Sequence, residues 1–123
     1  MPFSITIKRT FCAAHALRLP GGATEPVHGH NWHVSVTVRR DDGGLDEIGC
    51  VVDFHELEKQ LDAVIGPWKN ADLNAIEPFA SQVNPSAENV AATIAQGLDL
   101  PVDVRVDRVE ITEAEGCLAT WHA

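Results

Sequence analysis

Four stretches of the chain alternate between apolar and polar side chains, and two others carry the wider spacing of a helix. Phe3, Ile5 and Ile7 alternate with Ser4, Thr6 and Lys8 across residues 3–11, the period-two pattern of a half-buried strand. From Trp32 the even positions Val34, Val36 and Val38 are apolar, whereas His33, Ser35, Thr37 and Arg39 are polar, which predicts a second strand. Asp41-Asp42-Gly43-Gly44 reads as a turn, and the short apolar run Gly49-Cys50-Val51-Val52 ends at Asp53. Asp53, with Glu56 three residues on, resembles a capping box. Behind it Phe54, Leu57, Leu61, Val64 and Ile65 share one helical face, which Gly66-Pro67 ends. Residues 68–85 show no regular period. A second helix is expected from Ser86, with Glu88 in its first turn and Val90, Ile94 and Leu98 as its buried stripe; Ala91 and Ala95 permit close packing. Val102, Val104 and Val106 then alternate in one phase and Val109 and Ile111 in the other, so a bulge is expected near Asp107-Arg108. Gly116 reads as a turn, and Cys117 to Trp121 as a short last strand.

The predicted order is ββααββ: an α+β fold with a four-stranded antiparallel sheet and two helices on one face. Residues 1–123 are expected to form one domain, since that length sustains one core and not two. The start, Met1-Pro2-Phe3-Ser4, enters the first strand pattern directly, and no signal peptide is expected. No apolar run is long enough for a bilayer. The formal net charge of −9 disfavours nucleic acid and anionic membrane surfaces as partners, and Arg39-Arg40 is offset by Asp41-Asp42. A small molecule is the expected ligand. Three cysteines at scattered spacing, Cys12, Cys50 and Cys117, argue against a disulfide framework and for a reducing cytoplasm. Each is expected as a small buried hydrophobe.

The candidate chemistry lies in Val27-His28-Gly29-His30-Asn31-Trp32-His33. In an extended chain His28 and His30 project from the same face, and Gly29 between them leaves room for close approach. Two such histidines make half of a metal site. His15 is the best third ligand, because an antiparallel neighbour would bring it alongside. His33 falls on the opposite face and is excluded. The plainer alternative is a set of ordinary polar histidines at a strand end.

Five motifs then occur in order: Phe11-Cys12-Ala13-Ala14-His15, His28-Gly29-His30-Asn31-Trp32, Cys50-Val51-Val52-Asp53-Phe54, Asn84-Pro85-Ser86-Ala87-Glu88-Asn89, and Ile111-Thr112-Glu113-Ala114-Glu115-Gly116 with a terminal aromatic. Together they resemble the 6-pyruvoyl-tetrahydropterin synthase and 6-carboxytetrahydropterin synthase family over essentially the whole chain. The resemblance implies a tunnelling-fold (T-fold) subunit, assembled as trimers stacked into hexamers with pterin sites at subunit interfaces. It assigns zinc to His15, His28 and His30. It makes Glu113 the anchor of the pterin ring, a task suited to a carboxylate that accepts two N–H bonds. Ser86 and Glu88 are implied to line the pterin pocket, although a helix cap and a favourable first-turn charge would account for them equally.

The chain departs from that family at its catalytic groups. Thr24 stands where the family has its cysteine, and a threonine hydroxyl supplies no thiolate. Lys69 and Asn70 replace an Asp-His pair, although Leu73 and Asn74 in the same segment match. The expected function is therefore that of a pterin-binding homologue that does not run the standard synthase reaction. An alternative is a lyase acting on 7,8-dihydroneopterin triphosphate. Glu25, in Glu-x-x-His-Gly-His, would be its base and 6-hydroxymethyl-7,8-dihydropterin its product. A third reading is a structural oligomer, which gives no reason for the presence of His15, His28, His30 and Glu113.

Overall fold

The computed structural model describes residues 2–123, and Met1 lies outside them. In chain order the elements are β1 (Ile5–His15), β2 (His28–Arg40), α1 (Phe54–Ile65), β3 (Ala71–Asp72), α2 (Ala87–Gly97), β4 (Val104–Ala114) and β5 (Cys117–His122). The alternating patterns therefore became the long strands and the helical patterns the two helices, in the expected order. The sheet runs β3-β1-β2-β4-β5. Its four long strands are antiparallel, and β3 adds a two-residue parallel pairing with Ala13 and Ala14 of β1. Two residues are too few to leave an alternation in the sequence, so this fifth strand was not foreseen.

Register explains which side chains meet. Ile7 faces Val36 and Phe11 faces Trp32 across β1 and β2, so their apolar positions share one face. Leu57, Leu61 and Ile65 of α1 and Val90, Ala91 and Ile94 of α2 join them in one buried cluster. On β4 the phase changes where expected: Thr37 pairs with Arg108 and Val38 with Val106, leaving Asp107 as the extra residue. Val104 and Val106 before the bulge, and Val109 and Ile111 after it, all reach the same core.

The cap of α1 differs in detail. Asp53 accepts from the His55 amide at 2.9 Å, while the Glu56 carboxylate accepts from Gln60 Nε2 one turn along, at 3.3 Å. The reciprocal half of a capping box is missing because Glu56 finds its partner along the exposed helix face. Phe54 belongs to the helix but not to its buried stripe; it lines a surface groove with Phe3, Leu45 and Ile48. The cysteines also differ from expectation. Cys12 and Cys117 are exposed and Cys50 is half-buried. Cys12 occupies an outward position of β1, and Cys117 opens β5 at the edge of the sheet.

Candidate metal centre and adjoining cleft

Where the inward face of the sheet runs out of apolar residues, it ends in histidines and a carboxylate. His15 continues the Phe11-Ala13 row of β1, and His30 and His28 continue the row of β2 beyond Trp32. Pairing sets His15 opposite His28 and Ala13 opposite His30. The three rings gather with centroids 4.7, 4.8 and 5.1 Å apart. Glu113 continues the Val109-Ile111 row of β4. Without the extra residue Asp107, that row would face the other side of the sheet. Glu113 is itself the extra residue of a second irregularity, between Thr112 and Ala114 in the β4–β5 pairing. One ligand atom each from His15, His28, His30 and Glu113 lies within 4.8 Å of the others.

The tautomers follow from backbone contacts. His15 Nδ1 lies 2.6 Å from the Pro85 carbonyl and His28 Nδ1 lies 2.9 Å from the Pro26 carbonyl. A carbonyl oxygen only accepts, so each Nδ1 carries its hydrogen and, in the neutral ring, Nε2 keeps its lone pair. Carbonyls in this position orient a metal-binding imidazole. The Nε2 atoms of His15 and His30 are buried without a hydrogen-bond partner among the described residues. Burial lowers the His30 pKa, against the opposing pull of Glu113, so its ring holds its lone pair down to a lower pH. Trp32 closes the floor, its ring 4.8 Å from that of His15 and 5.6 Å from that of His30, and its Nε1 donates to the Ala13 carbonyl. Three imidazole nitrogens and a carboxylate oxygen converging above the buried His15 and Trp32 fit a divalent ion of the zinc type.

Glu25 stands at the rim. Its Oε1 accepts from the Leu17 amide at 2.9 Å and lies 3.9 Å from His28 Nε2. Its own amide donates to the Leu17 carbonyl, so it is tied down and half-buried despite its Pro-flanked loop. Glu113 also borders an open cleft of about 520 Å³ between the start of α2 and β5, lined in addition by Glu88, Cys117 and Thr120. The Ser86 hydroxyl caps α2, accepting from the Asn89 amide at 3.1 Å. Thr24, Lys69 and Asn70 are exposed and stand outside the histidine cluster. Asn70 takes a left-handed conformation, φ 57°, while its amide donates to the Cys12 carbonyl. His33 bonds Thr10 on the opposite face, as its parity required.

Four supporting groups were not foreseen. The carbonyls of Pro26 and Pro85 and the amide of Leu17 are backbone atoms, which leave no mark in a side-chain pattern. Asn74 grips Ala16, next to His15, with both arms: its Oδ1 accepts from the Ala16 amide and its Nδ2 donates to the Ala16 carbonyl, each at 2.8 Å. The Leu73-Asn74 match in an otherwise altered segment was the available signal for it.

Comparison with known proteins identifies the family. The family model for 6-pyruvoyl tetrahydropterin synthase matches residues 4–123. The dihydroneopterin monophosphate aldolase of Pyrococcus furiosus is 32% identical over 115 residues, covering 92% of this chain and 91% of that one. The 6-carboxy-5,6,7,8-tetrahydropterin synthase of Bacillus subtilis is 33% identical over 108 residues, covering 83% of this chain and 70% of that one. The 6-pyruvoyl tetrahydropterin synthase structure from Caenorhabditis elegans superposes with a TM-score of 0.76 at 24% identity, covering 98% and 96% of the two chains, and fixes the fold as the T-fold of that enzyme. With a family model spanning nearly every described residue and relatives matched along most of their own length, the chain belongs to the 6-pyruvoyl tetrahydropterin synthase family.

Proposed function

We propose that the protein binds a dihydropterin and, in place of the standard synthase reaction, cleaves its side chain as an aldolase-type lyase with Glu25 as the base. The observation that carries this reading is the anchored carboxylate of Glu25 at the rim of the histidine cluster, 3.9 Å from His28 Nε2. The aldolase name of the Pyrococcus furiosus relative favours the same chemistry. The substrate is a phosphorylated 7,8-dihydroneopterin. His15, His28 and His30 would hold a zinc ion, which supplies polarisation of the side-chain hydroxyls when bound. Glu25 takes the proton of the 2′-hydroxyl, the C1′–C2′ bond breaks, and C2′ leaves as an aldehyde bearing the phosphate. The electron pair left on C1′ delocalises into the pterin ring and is reprotonated, giving 6-hydroxymethyl-7,8-dihydropterin. Leu17, which holds Oε1, leaves Oε2 free for the proton. Glu113, with Glu88 across the cleft, anchors the ring, and Ser86 serves by capping α2 beneath that wall. The outer edge of β5, the last strand of the sheet among the described residues, suits pairing with another subunit, in line with the trimers and hexamers expected above.

The test is to incubate pure, zinc-loaded protein with the mono- and triphosphate of dihydroneopterin and to chromatograph the pterins. A 6-hydroxymethyl product, lost in Glu25→Gln with pterin binding retained, supports the reading. Pterin binding without any product leaves a non-catalytic pterin protein. Absence of both removes the pterin reading and leaves the structural oligomer.

A further inference from the structure

Glu113 makes a contact that anchoring a pterin ring does not explain. Its Oε1 lies 2.9 Å from His15 Nε2 and 3.6 Å from His30 Nε2. His15 has spent its Nδ1 hydrogen on Pro85, which leaves Nε2 of the neutral ring an acceptor beside the carboxylate oxygen, in a site where His15 is 1% exposed. Two acceptors at that distance repel unless a cation lies between them. A proton on Nε2 would need the oxygen in line with the N–H. His15 Nε2 instead has no hydrogen-bond partner among the described residues, close as the oxygen is. Two ligands of one ion need not aim at each other. Around a tetrahedral zinc with bonds near 2.0 Å, neighbouring ligand atoms stand about 3.3 Å apart. The observed 2.9 and 3.6 Å bracket that value.

We propose that Glu113 is the fourth ligand of the metal in the substrate-free protein, closing a site that three histidines alone would leave open, and that it leaves the metal when a pterin binds. The second half rests on the pterin reading given above. A pterin ring presents an amino group and a neighbouring ring N–H, and a carboxylate that takes both uses both oxygens. One carboxylate therefore cannot serve ring and metal together. Its departure opens the coordination position that chemistry on the substrate side chain needs. The same group thus keeps the metal closed at rest and couples its opening to recognition of the ring.

Cobalt(II) in place of zinc reads this without any turnover. Wild-type protein, Glu113→Ala, Glu113→Gln and His28→Ala are stripped of metal, checked for folding by circular dichroism, and titrated with Co(II). The expected result is a loss of affinity of about 10- to 100-fold in both Glu113 variants, with a shifted visible absorption band. Unchanged affinity and an unchanged band in both variants would overturn the fourth-ligand assignment. His28→Ala is the separate control: if it binds Co(II) as wild type does, the metal centre itself is refuted. Addition of a pterin without a side chain should shift the band of the wild type and leave that of Glu113→Ala in place. A wild-type band that stays fixed while the pterin is bound refutes the exchange. Failure of any pterin to bind refutes the pterin reading and leaves the ligand assignment to the affinity measurement.

Discussion

Asn74 offers the sharpest test of how the histidine cluster is held. Its amide bonds both backbone groups of Ala16, each at 2.8 Å, and Ala16 is 1% exposed. Asn74→Ala removes two hydrogen bonds and strands an N–H and a C=O where water enters poorly. A net hydrogen bond is worth about 1 kcal/mol, and a buried group left unpaired costs about 1–3 kcal/mol. For two such groups in a loop that can partly relax, a loss of about 3 kcal/mol is expected. Unfolding entropy near 2.1 cal/mol/K per residue gives about 0.26 kcal/mol/K for 123 residues, so the midpoint should fall by about 12 °C. Asn74→Asp keeps an acceptor for the Ala16 amide but turns a second oxygen towards its carbonyl, and should lose at least half as much. Both variants should also bind Co(II) more weakly, because Ala16 follows His15 directly. Thermal and urea unfolding of the metal-free proteins measures the first effect, and metal titration the second. A loss below about 1 kcal/mol for Asn74→Ala would show that the clamp carries none of the weight assigned to it.

Two further outcomes are expected. Ser86→Ala removes the hydroxyl that caps the Asn89 amide and should cost about 1 kcal/mol by urea unfolding, without changing Co(II) affinity. The pair that ties β1 to α1, Arg9 Nε to Asp62 Oδ1 at 2.9 Å, holds the Asp62 carboxyl below its ordinary pKa, chiefly through that hydrogen bond. A depressed carboxyl pKa contributes stability above the unfolded-state value and loses it as pH falls through the folded one. Asp62→Asn should therefore be less stable than wild type at pH 7, by under about 1 kcal/mol because the pair is solvent-screened. The gap should close as pH falls through the lowered Asp62 pKa, and a gap that is constant with pH refutes the assignment.

The fold was legible where a period could be counted. Val34, Val36 and Val38 announced β2, and the phase slip between Val106 and Val109 announced the bulge at Asp107. Parity alone separated His28 and His30 from His33, because the alternation of a strand leaves a side chain no third direction. Strand β3 was not legible, since its two residues join the sheet through backbone bonds that any sequence can make. Cys12 and Cys117 were misread because residue type was weighed above position: an outward site on β1 and the start of an edge strand stay exposed even when filled by a residue that is usually buried. At the centre, the histidines and Glu113 were visible as residues, but the contact between them was not. Alternation fixes the face on which Glu113 lies, but not its 2.9 Å approach to His15.

The two irregularities of β4 tie the core to the chemistry. A strand with one extra residue at Asp107 gives its first half and its second half opposite parity, and yet both halves keep valines and isoleucine on the helix side. The apolar pattern therefore selects the bulge, since any register without it would turn Val109 and Ile111 out to solvent. Glu113 follows in that same phase, so the force that positions the carboxylate is the burial of residues two and four places before it. Burial acts on the histidines too: it disfavours a proton on His30, while the charge of Glu113 favours any cation. A divalent ion would answer both demands, because it would gather neutral nitrogens and a carboxylate at one point, where a proton serves a single pair.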